Sequence, residues 1–206
     1  VGRPVMRWAD EIVCCTPEVE TFMRTFLRGS SVRLCTILNG IDVERFLPVS
    51  AEERARVRRA LQLPHDRRVI LFVGRLVDKK QPDLFIDVCR RMPQAHFLMV
   101  GDGPLRPPVL ANLTWIPYWP SDRMPLAYQA SDALLVPFHS EAFPMVTKEA
   151  MAVGIPVIAS RGHEFTAQLS TRGVCVVVTP NAEAFCKALD MLAASEDLRR
   201  SMVVKA

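Results

Sequence analysis

From Arg68 onward, short apolar runs of strand length alternate with stretches that carry an apolar face at helical spacing. No other feature limits the fold as much. The runs are Val69–Val73, His96–Val100, Leu113–Ile116, 133–137, 157–159 and 174–178. Between them, residues 83–92 place Leu84, Phe85, Val88, Cys89 and Met92 on one face. Residues 181–194 do the same with Ala184, Phe185, Ala188, Leu189 and Leu192, and Asn181 is positioned to cap that helix. Strands apolar at nearly every position are buried on both sides. The pattern therefore predicts an α/β fold, a doubly wound parallel sheet with helices on both faces. Ligands of such sheets bind outside the carboxyl ends of the strands. Arg75, Gly101 and Glu141 each follow a strand end, so they are expected along one edge.

The segment before Arg68 reads differently. Residues 12–16 form a short strand. Residues 17–27 form a helix with Val19, Phe22, Met23, Phe26 and Leu27 on one face and Gly29 beyond its end. Residues 32–38 form a second strand that stops at the turn pair Asn39-Gly40. A boundary near residue 39 is expected, giving segments 1–38 and 39–206. Ser50-Ala51-Glu52-Glu53 suits a capping box for a helix running to Leu63. Arg54, Arg56, Arg58 and Arg59 crowd that helix and read as a solvated basic face; an anionic membrane surface is the alternative reading.

Composition sets outer limits. The chain has 206 residues, half of them apolar, which is enough for a sizeable core. A formal charge of +4 is too mild to suggest a nucleic-acid binder. The longest apolar runs are far shorter than a membrane span. No charged-then-apolar leader is read at the start, where an initiating Met is also lacking, so a fragment or excised domain is expected. Cys14, Cys15, Cys35, Cys89, Cys175 and Cys186 sit inside strand or helix patterns. None forms a C-x-x-C pair, and the histidines show no ligand spacing with them. Free thiols in a reducing cytoplasm are expected, with no metal site.

Residues 140–160 carry the densest functional signal. Glu141 precedes a helix start and Glu149 follows it, with seven residues between them. Pro144 suits the first helical position, where a missing N–H costs nothing. The first-turn N–H groups lack intrahelical partners and attract an anion such as phosphate. Gly154 ends the helix before the next strand. An anion site flanked by carboxylates suits a ligand that has both phosphates and hydroxyls, such as a nucleotide sugar. Arg75 and Lys80, five positions apart in the loop after the first long apolar strand, could converge on a diphosphate.

These motifs resemble a family. Glu141-x7-Glu149 followed by Ala-Met-Ala-x-Gly-x-Pro-Val is similar to the donor-site signature of retaining, two-domain (GT-B) glycosyltransferases of the group 1, or family 4, type. Phe72-Val73-Gly74-Arg75-Leu76 through Lys80, Val100-Gly101-Asp102-Gly103-Pro104, and Asn39-Gly40-Ile41-Asp42 with Phe46 and Pro48 match further family motifs in the same order. The resemblance implies a Rossmann-like domain, the C-terminal and donor-binding half of a two-domain enzyme, with residues 1–38 closing the other half. It implies transfer of a hexose from a UDP- or GDP-sugar, with retention, to an acceptor sugar or lipid-linked sugar held by the other domain. An epimerase or phosphorylase on the same fold, or a non-catalytic nucleotide-sugar-binding module, is the alternative.

The resemblance also implies roles for single residues. Gly74, Arg75, Lys80, Gly101 and Gly103 would lie at the donor diphosphate. Phe143, Pro144, Met145 and Val146 would frame the phosphates with their backbone. Glu149 would accept hydrogen bonds from the ribose hydroxyls. Glu141 would sit at the donor sugar and, with Arg75 and Lys80, act in catalysis. No metal and no cofactor beyond the donor is expected. A cytoplasmic location is expected, and the resemblance leaves room for peripheral membrane association. The chain departs from the family in four places. Gln81 replaces the usual Gly after the lysine, and Ala142 replaces a frequent Gly. Gly162-His163-Glu164 stands where a Gly-Gly loop is usual. Pro107 and Pro108 oppose the helix that normally follows Gly103, so a truncated connection is expected there. His139 and the segment from Trp115 to Trp119, with Tyr118, are further candidates for the sugar and base pockets, or for ordinary packing.

Overall fold

The computed structural model describes residues 5–139, 144–162 and 164–205, without the side chains of 164–166, 204 and 205. Two sheets are present among these residues. The smaller pairs β1 (Glu11–Cys14) with β2 (Arg33–Thr36) in parallel, joined by α1 (Pro17–Phe26). Thr16 caps α1 by accepting from the Val19 N–H, and Pro17 occupies the first turn, where its missing N–H is harmless. Cys14, Met23 and Leu27 form a small core of their own. Phe22, expected on the buried face of α1, is 64 % exposed instead and stacks on Phe26 at 5.7 Å. A single helix over two strands has too little apolar surface opposite it to cover the full width of its apolar stripe.

The larger sheet holds six parallel strands: β3 (Val69–Val73), β4 (His96–Val100), β5 (Leu113–Ile116), β6 (Ala133–Val136), β7 (Val157–Ser160) and β8 (Cys175–Val178). Their order is β5-β4-β3-β6-β7-β8. The chain lays β3, β4 and β5 outward in one direction, then returns to set β6 on the free side of β3. The connections leaving β3 and β6 therefore turn to opposite sides, and the carboxyl ends of these two strands form the switch point at which such sheets hold ligands. This is the α/β parallel sheet that the apolar alternation predicts. Asn39 lies in the connection between the two sheets, where its carbonyl accepts from Lys148 Nζ at 2.8 Å.

The helices α2 (Ala51–Ala60), α3 (Pro82–Arg91), α4 (Met124–Gln129), α5 (Met145–Val153), α6 (Glu164–Thr171), α7 (Ala182–Ala194) and α8 (Glu196–Lys205) complete the layers. On one side α3 packs against α7; on the other α4 contacts both α2 and α5. Phe72, Phe85 and Phe97 pack ring to ring between β3, α3 and β4, at 5.3 Å for each successive pair. All three are fully buried, each contributing about 1.5–3 kcal/mol of transfer free energy. The connection from β4 to β5 has no helix, as Pro107 and Pro108 lead one to expect. The short helix α4 is not anticipated from the sequence, because its six residues are too few to show a period.

The basic face of α2 needs correcting. Ser50 does cap it, accepting from the Glu53 N–H at 3.1 Å. Arg56 and Arg59 are exposed, but Arg58 is buried. Arg58 donates to Asp132 at 2.7 Å, to the Ala130 carbonyl at 2.8 Å and to the Arg67 carbonyl at 3.2 Å. Arg54 reaches the other Asp132 oxygen at 3.1 Å. Asp132 also accepts from the Val69 N–H, so it staples α2 to the amino ends of β3 and β6. Half of the apparently solvated face is thus internal wiring.

Candidate functional site

The carboxyl edge gathers the residues expected to act. The loop leaving β3 is held by two backbone bonds. Gly74 N–H donates to the Val100 carbonyl and Leu76 N–H to the Asp102 carbonyl, both at 3.0 Å. Gly101 and Gly103 make this approach feasible. A Cβ on Gly101 would lie 2.0 Å from the Gly74 oxygen, and one on Gly103 would lie 2.3 Å from the Leu76 oxygen. Gly101 also adopts φ +134, which side-chain-bearing residues rarely take. The Gly101-x-Gly103 pair therefore presses the β4 exit against the loop that carries Arg75. The Gly101 carbonyl accepts from Trp115 Nε1 at 2.9 Å, which assigns Trp115 to the framework. Asp102, the nearest acid in sequence, is engaged by Arg106 at 2.5 Å. Arg75 itself is exposed.

Lys80 is placed by aromatic packing. Its Nζ lies 3.9 Å from the centroid of the Phe138 ring, and the buried Phe138 in turn meets Phe72 edge-on at 5.9 Å. The cation is thus carried over the exit of β6 by a ring anchored in the core. The same two loops are tied by backbone, His139 N–H donating to the Lys79 carbonyl at 2.9 Å. Gln81, which replaces the usual glycine, takes a left-handed conformation at φ 51, ψ 51. That explains why a glycine suits the position. Its side-chain amide meets His139 Nε2 at 2.7 Å, a link that glycine could not make. His139 is accordingly a joint between the β3 and β6 exits.

The third component is the start of α5. Pro144, expected at the first helical position, is the cap residue, with φ −74 and ψ 97, and the helix begins at Met145. The locked ring of proline fits either place, since φ is nearly the same in both. Met145 and Val146 are the first two residues of the helix, positions whose N–H groups lie outside the helical ladder, whereas Thr147 N–H donates to the Pro144 carbonyl at 3.0 Å. Gly154 closes the helix at φ 79, as anticipated. Glu149, one turn inward, is half-buried and accepts a hydrogen bond from the hydroxyl of Tyr128 on α4. Burial pushes the Glu149 carboxyl above its ordinary value; the Tyr128 bond and the Arg45 charge oppose this. Burial and then the Glu149 charge push the Tyr128 phenol well above its ordinary value, so it remains a neutral donor.

Glu141, Ala142, Phe143 and His163 lie outside the described residues, as does the side chain of Glu164. Tyr118 is 80 % exposed, whereas Trp119 packs against the core. Gly74, Arg75, Lys80, Gly101, Gly103, Pro144, Met145, Val146 and Glu149 are all brought to the carboxyl edge. Sequence reasoning missed Tyr128 and the Gln81–His139 link. For Tyr128 a signal existed: a tyrosine in an otherwise apolar helical turn needs a polar partner.

Among the described residues no group of three or more His, Cys, Asp or Glu side chains could hold a metal ion. No helix among them is long and apolar enough to cross a membrane. All six cysteines are free, and burial raises Cys89 to about 11 and Cys175 to about 12, which leaves both as thiols. A cavity of about 410 Å³ opens at the opposite, amino edge of the sheet, lined by Arg54, Arg68, Asp132, Glu196, Arg199 and Arg200 among others. Its guanidiniums already serve the fold. Arg68 and Arg199 cap the carbonyls that end α7, Arg200 pairs with Glu196, and Arg54 pairs with Asp132. Volume alone therefore does not mark the functional edge.

Comparison with known proteins converges on one family. The family described as Glycosyl transferases group 1 matches residues 53–206. A D-inositol 3-phosphate glycosyltransferase from Mycobacterium leprae is 29 % identical over 172 residues, covering 77 % of this chain and 40 % of that protein. The enzyme of the same name from Mycobacteroides abscessus is 30 % identical over 172 residues, covering 77 % and 38 %. The chain thus spans less than half the length of these curated relatives. Among solved structures, sucrose-phosphate synthase from Thermosynechococcus elongatus superimposes with a TM-score of 0.83 at 24 % identity, covering 99 % of this chain and 54 % of that one. The Anabaena HepE protein in complex with UDP gives 0.80 at 19 % identity, covering 98 % and 58 %. These likenesses show the fold.

Proposed function

Because the chain belongs to the group 1 glycosyl transferases, we propose that it is the donor-binding half of an enzyme that moves a hexose from a UDP- or GDP-sugar to an acceptor with retention of anomeric configuration. One observation carries this reading. Arg75 and Lys80 follow the carboxyl end of β3, and the start of α5, one turn before Glu149, follows that of β6, the two strands between which the strand order reverses, the position at which parallel α/β sheets bind ligands. The solved relative bound to UDP and to UDP-glucose supports a nucleotide sugar as the occupant.

In this reading Arg75 and Lys80 hold the diphosphate. As the bond from the anomeric carbon to the phosphate oxygen breaks, negative charge grows on that oxygen, and two cations beside it favour the transition state over the ground state. The Met145 and Val146 N–H groups add partial positive charge at the same place. Glu149 accepts from the ribose hydroxyls. Glu141 orients the donor sugar and steadies oxocarbenium-like charge. The hydroxyl of an acceptor sugar or lipid-linked sugar, brought by a second domain, attacks the face from which the diphosphate leaves; its oxygen bonds the anomeric carbon as the bond to the phosphate oxygen breaks, and its proton passes to that departing oxygen. No divalent metal is required, because the cations replace it. The free thiols suit a cytoplasmic location, and a lipid-linked acceptor would bring peripheral membrane contact.

Product stereochemistry tests the proposal. Incubating the full-length protein with a UDP- or GDP-α-hexose and its acceptor should give an α-linked product by proton NMR, at a rate unchanged by chelator. A β-linked product, or activity abolished by EDTA and restored by Mn²⁺ or Mg²⁺, would overturn the mechanism.

A further inference from the structure

We infer that Tyr128 is the positioning residue for ribose recognition: its hydroxyl holds one oxygen of Glu149 and so presents the other to the nucleotide's diol. The inference rests on the nucleotide-sugar reading of the carboxyl edge.

Tyr128 is fully buried and its hydroxyl donates to Glu149 Oε2. That contact is the only hydrogen bond of the Glu149 side chain among the described residues. An ionised carboxylate can accept about four hydrogen bonds over its two oxygens, so the Oε1 side keeps its capacity for a ligand. The donor is rigid. Its ring meets Phe46 edge-on at 5.7 Å, and Phe46 is itself buried. Arg45, the next residue, anchors this segment by donating to the Ser121 carbonyl at 2.5 Å and contributes the positive charge that favours an ionised Glu149. Tyr128 and Arg45 are the groups whose charge or hydrogen bonding acts on Glu149. The phenol is held neutral by burial, so it always donates and never competes as an anion. A flexible glutamate would lose rotamer entropy on binding a diol. One already tethered has lost it in advance, which is the physical content of preorganisation.

The test is titration calorimetry of UDP and GDP, each against its 2′- and 3′-deoxy forms, on the protein and on Tyr128→Phe, with thermal melts as a check of fold. Tyr128→Phe is expected to lose most of its preference for ribose, about tenfold for one charge-assisted hydrogen bond, while affinity for the deoxy forms stays within twofold. Equal weakening of ribose and deoxy forms would reduce Tyr128 to a packing residue and overturn the inference, leaving the nucleotide reading intact. Failure of both UDP and GDP to bind the unaltered protein would overturn both. If Tyr128→Phe does not fold, the hydroxyl proton of Tyr128 in the unaltered protein decides. It should shift on adding the ribose form and not the deoxy form, and an equal shift with both would overturn the inference.

Discussion

The two edges of the six-stranded sheet are built on opposite principles. At the amino edge the charges shown to be buried or half-buried are mutually satisfied. Asp132 takes a backbone N–H and two guanidiniums, and Arg58 spends its donors on Asp132 and two carbonyls. At the carboxyl edge the protein accepts costs. Gln81 sits in a left-handed conformation, Gly101 and Gly103 occupy positions that no other residue fits, and Glu149 is a carboxylate whose charge burial disfavours. The amino edge has a left-handed Gln62 just after α2, but its buried charges are satisfied; the carboxyl edge gathers a left-handed residue, two glycine-only positions and a disfavoured carboxylate in one cluster, and that cluster is where function is to be sought.

Disturbing the satisfied edge should cost the most stability. Asp132→Ala would strand the buried Arg58 guanidinium and should destabilise the fold by about 3–4 kcal/mol, read as a shift in the denaturant midpoint. The surviving folded fraction should bind nucleotide normally, since nothing at the carboxyl edge touches Asp132. Gly101→Ala attacks the other edge. The added methyl meets the Gly74 oxygen and φ +134 is retained only under strain, so a loss of about 2–3 kcal/mol is expected. Here nucleotide affinity should fall as well, because the Arg75 loop must move. Equal behaviour of these two variants in binding would erase the contrast.

Much of this contrast was legible in the sequence, and the illegible part has a physical pattern. The apolar runs predict the six strands, and the residues after them predict which side chains share an edge, because a parallel sheet aligns all its strand ends. The Arg58–Asp132 pair spans 74 positions and looks from sequence like an exposed basic helix. The Tyr128–Glu149 bond joins two helices that only the fold brings together. Pro144 at the cap rather than the first helical position is a one-residue difference that proline's fixed φ does not resolve. The left-handed Gln81 is invisible because nothing in its residue type suggests it, though the family's glycine at that place does.

Glu149 sharpens the comparison further. Glu149→Ala should weaken nucleoside diphosphate binding by about 1–2 kcal/mol. Glu149→Gln separates function from stability. The folded-state carboxyl lies above its ordinary value near 4.5, so the protonated form stabilises the fold at low pH. That stability is lost as pH rises through the raised folded-state value. Glutamine never ionises, so this variant should melt at a higher temperature than the unaltered protein at pH 7. The gain should vanish towards pH 4, and a gain that persists there would contradict the assigned cause.

The smallest effect is expected at Gln81. Gln81→Gly relieves a left-handed backbone, a gain of about 1 kcal/mol, but removes the amide that meets His139. Stability should change little or rise slightly while nucleotide affinity falls, a split visible by pairing melts with calorimetry. A parallel change in both would show that the residue is an ordinary turn.

If Arg75 and Lys80 hold a diphosphate at the carboxyl edge, removing both must erase the preference for a second phosphate. Calorimetry of UDP against UMP and of GDP against GMP, on the unaltered protein and on the Arg75→Ala, Lys80→Ala double variant, tests it most directly. A diphosphate should bind the unaltered protein more tightly than its monophosphate, and the double variant should lose this preference. Equal affinity for mono- and diphosphates in the unaltered protein, or a preference that survives in the double variant, would contradict it.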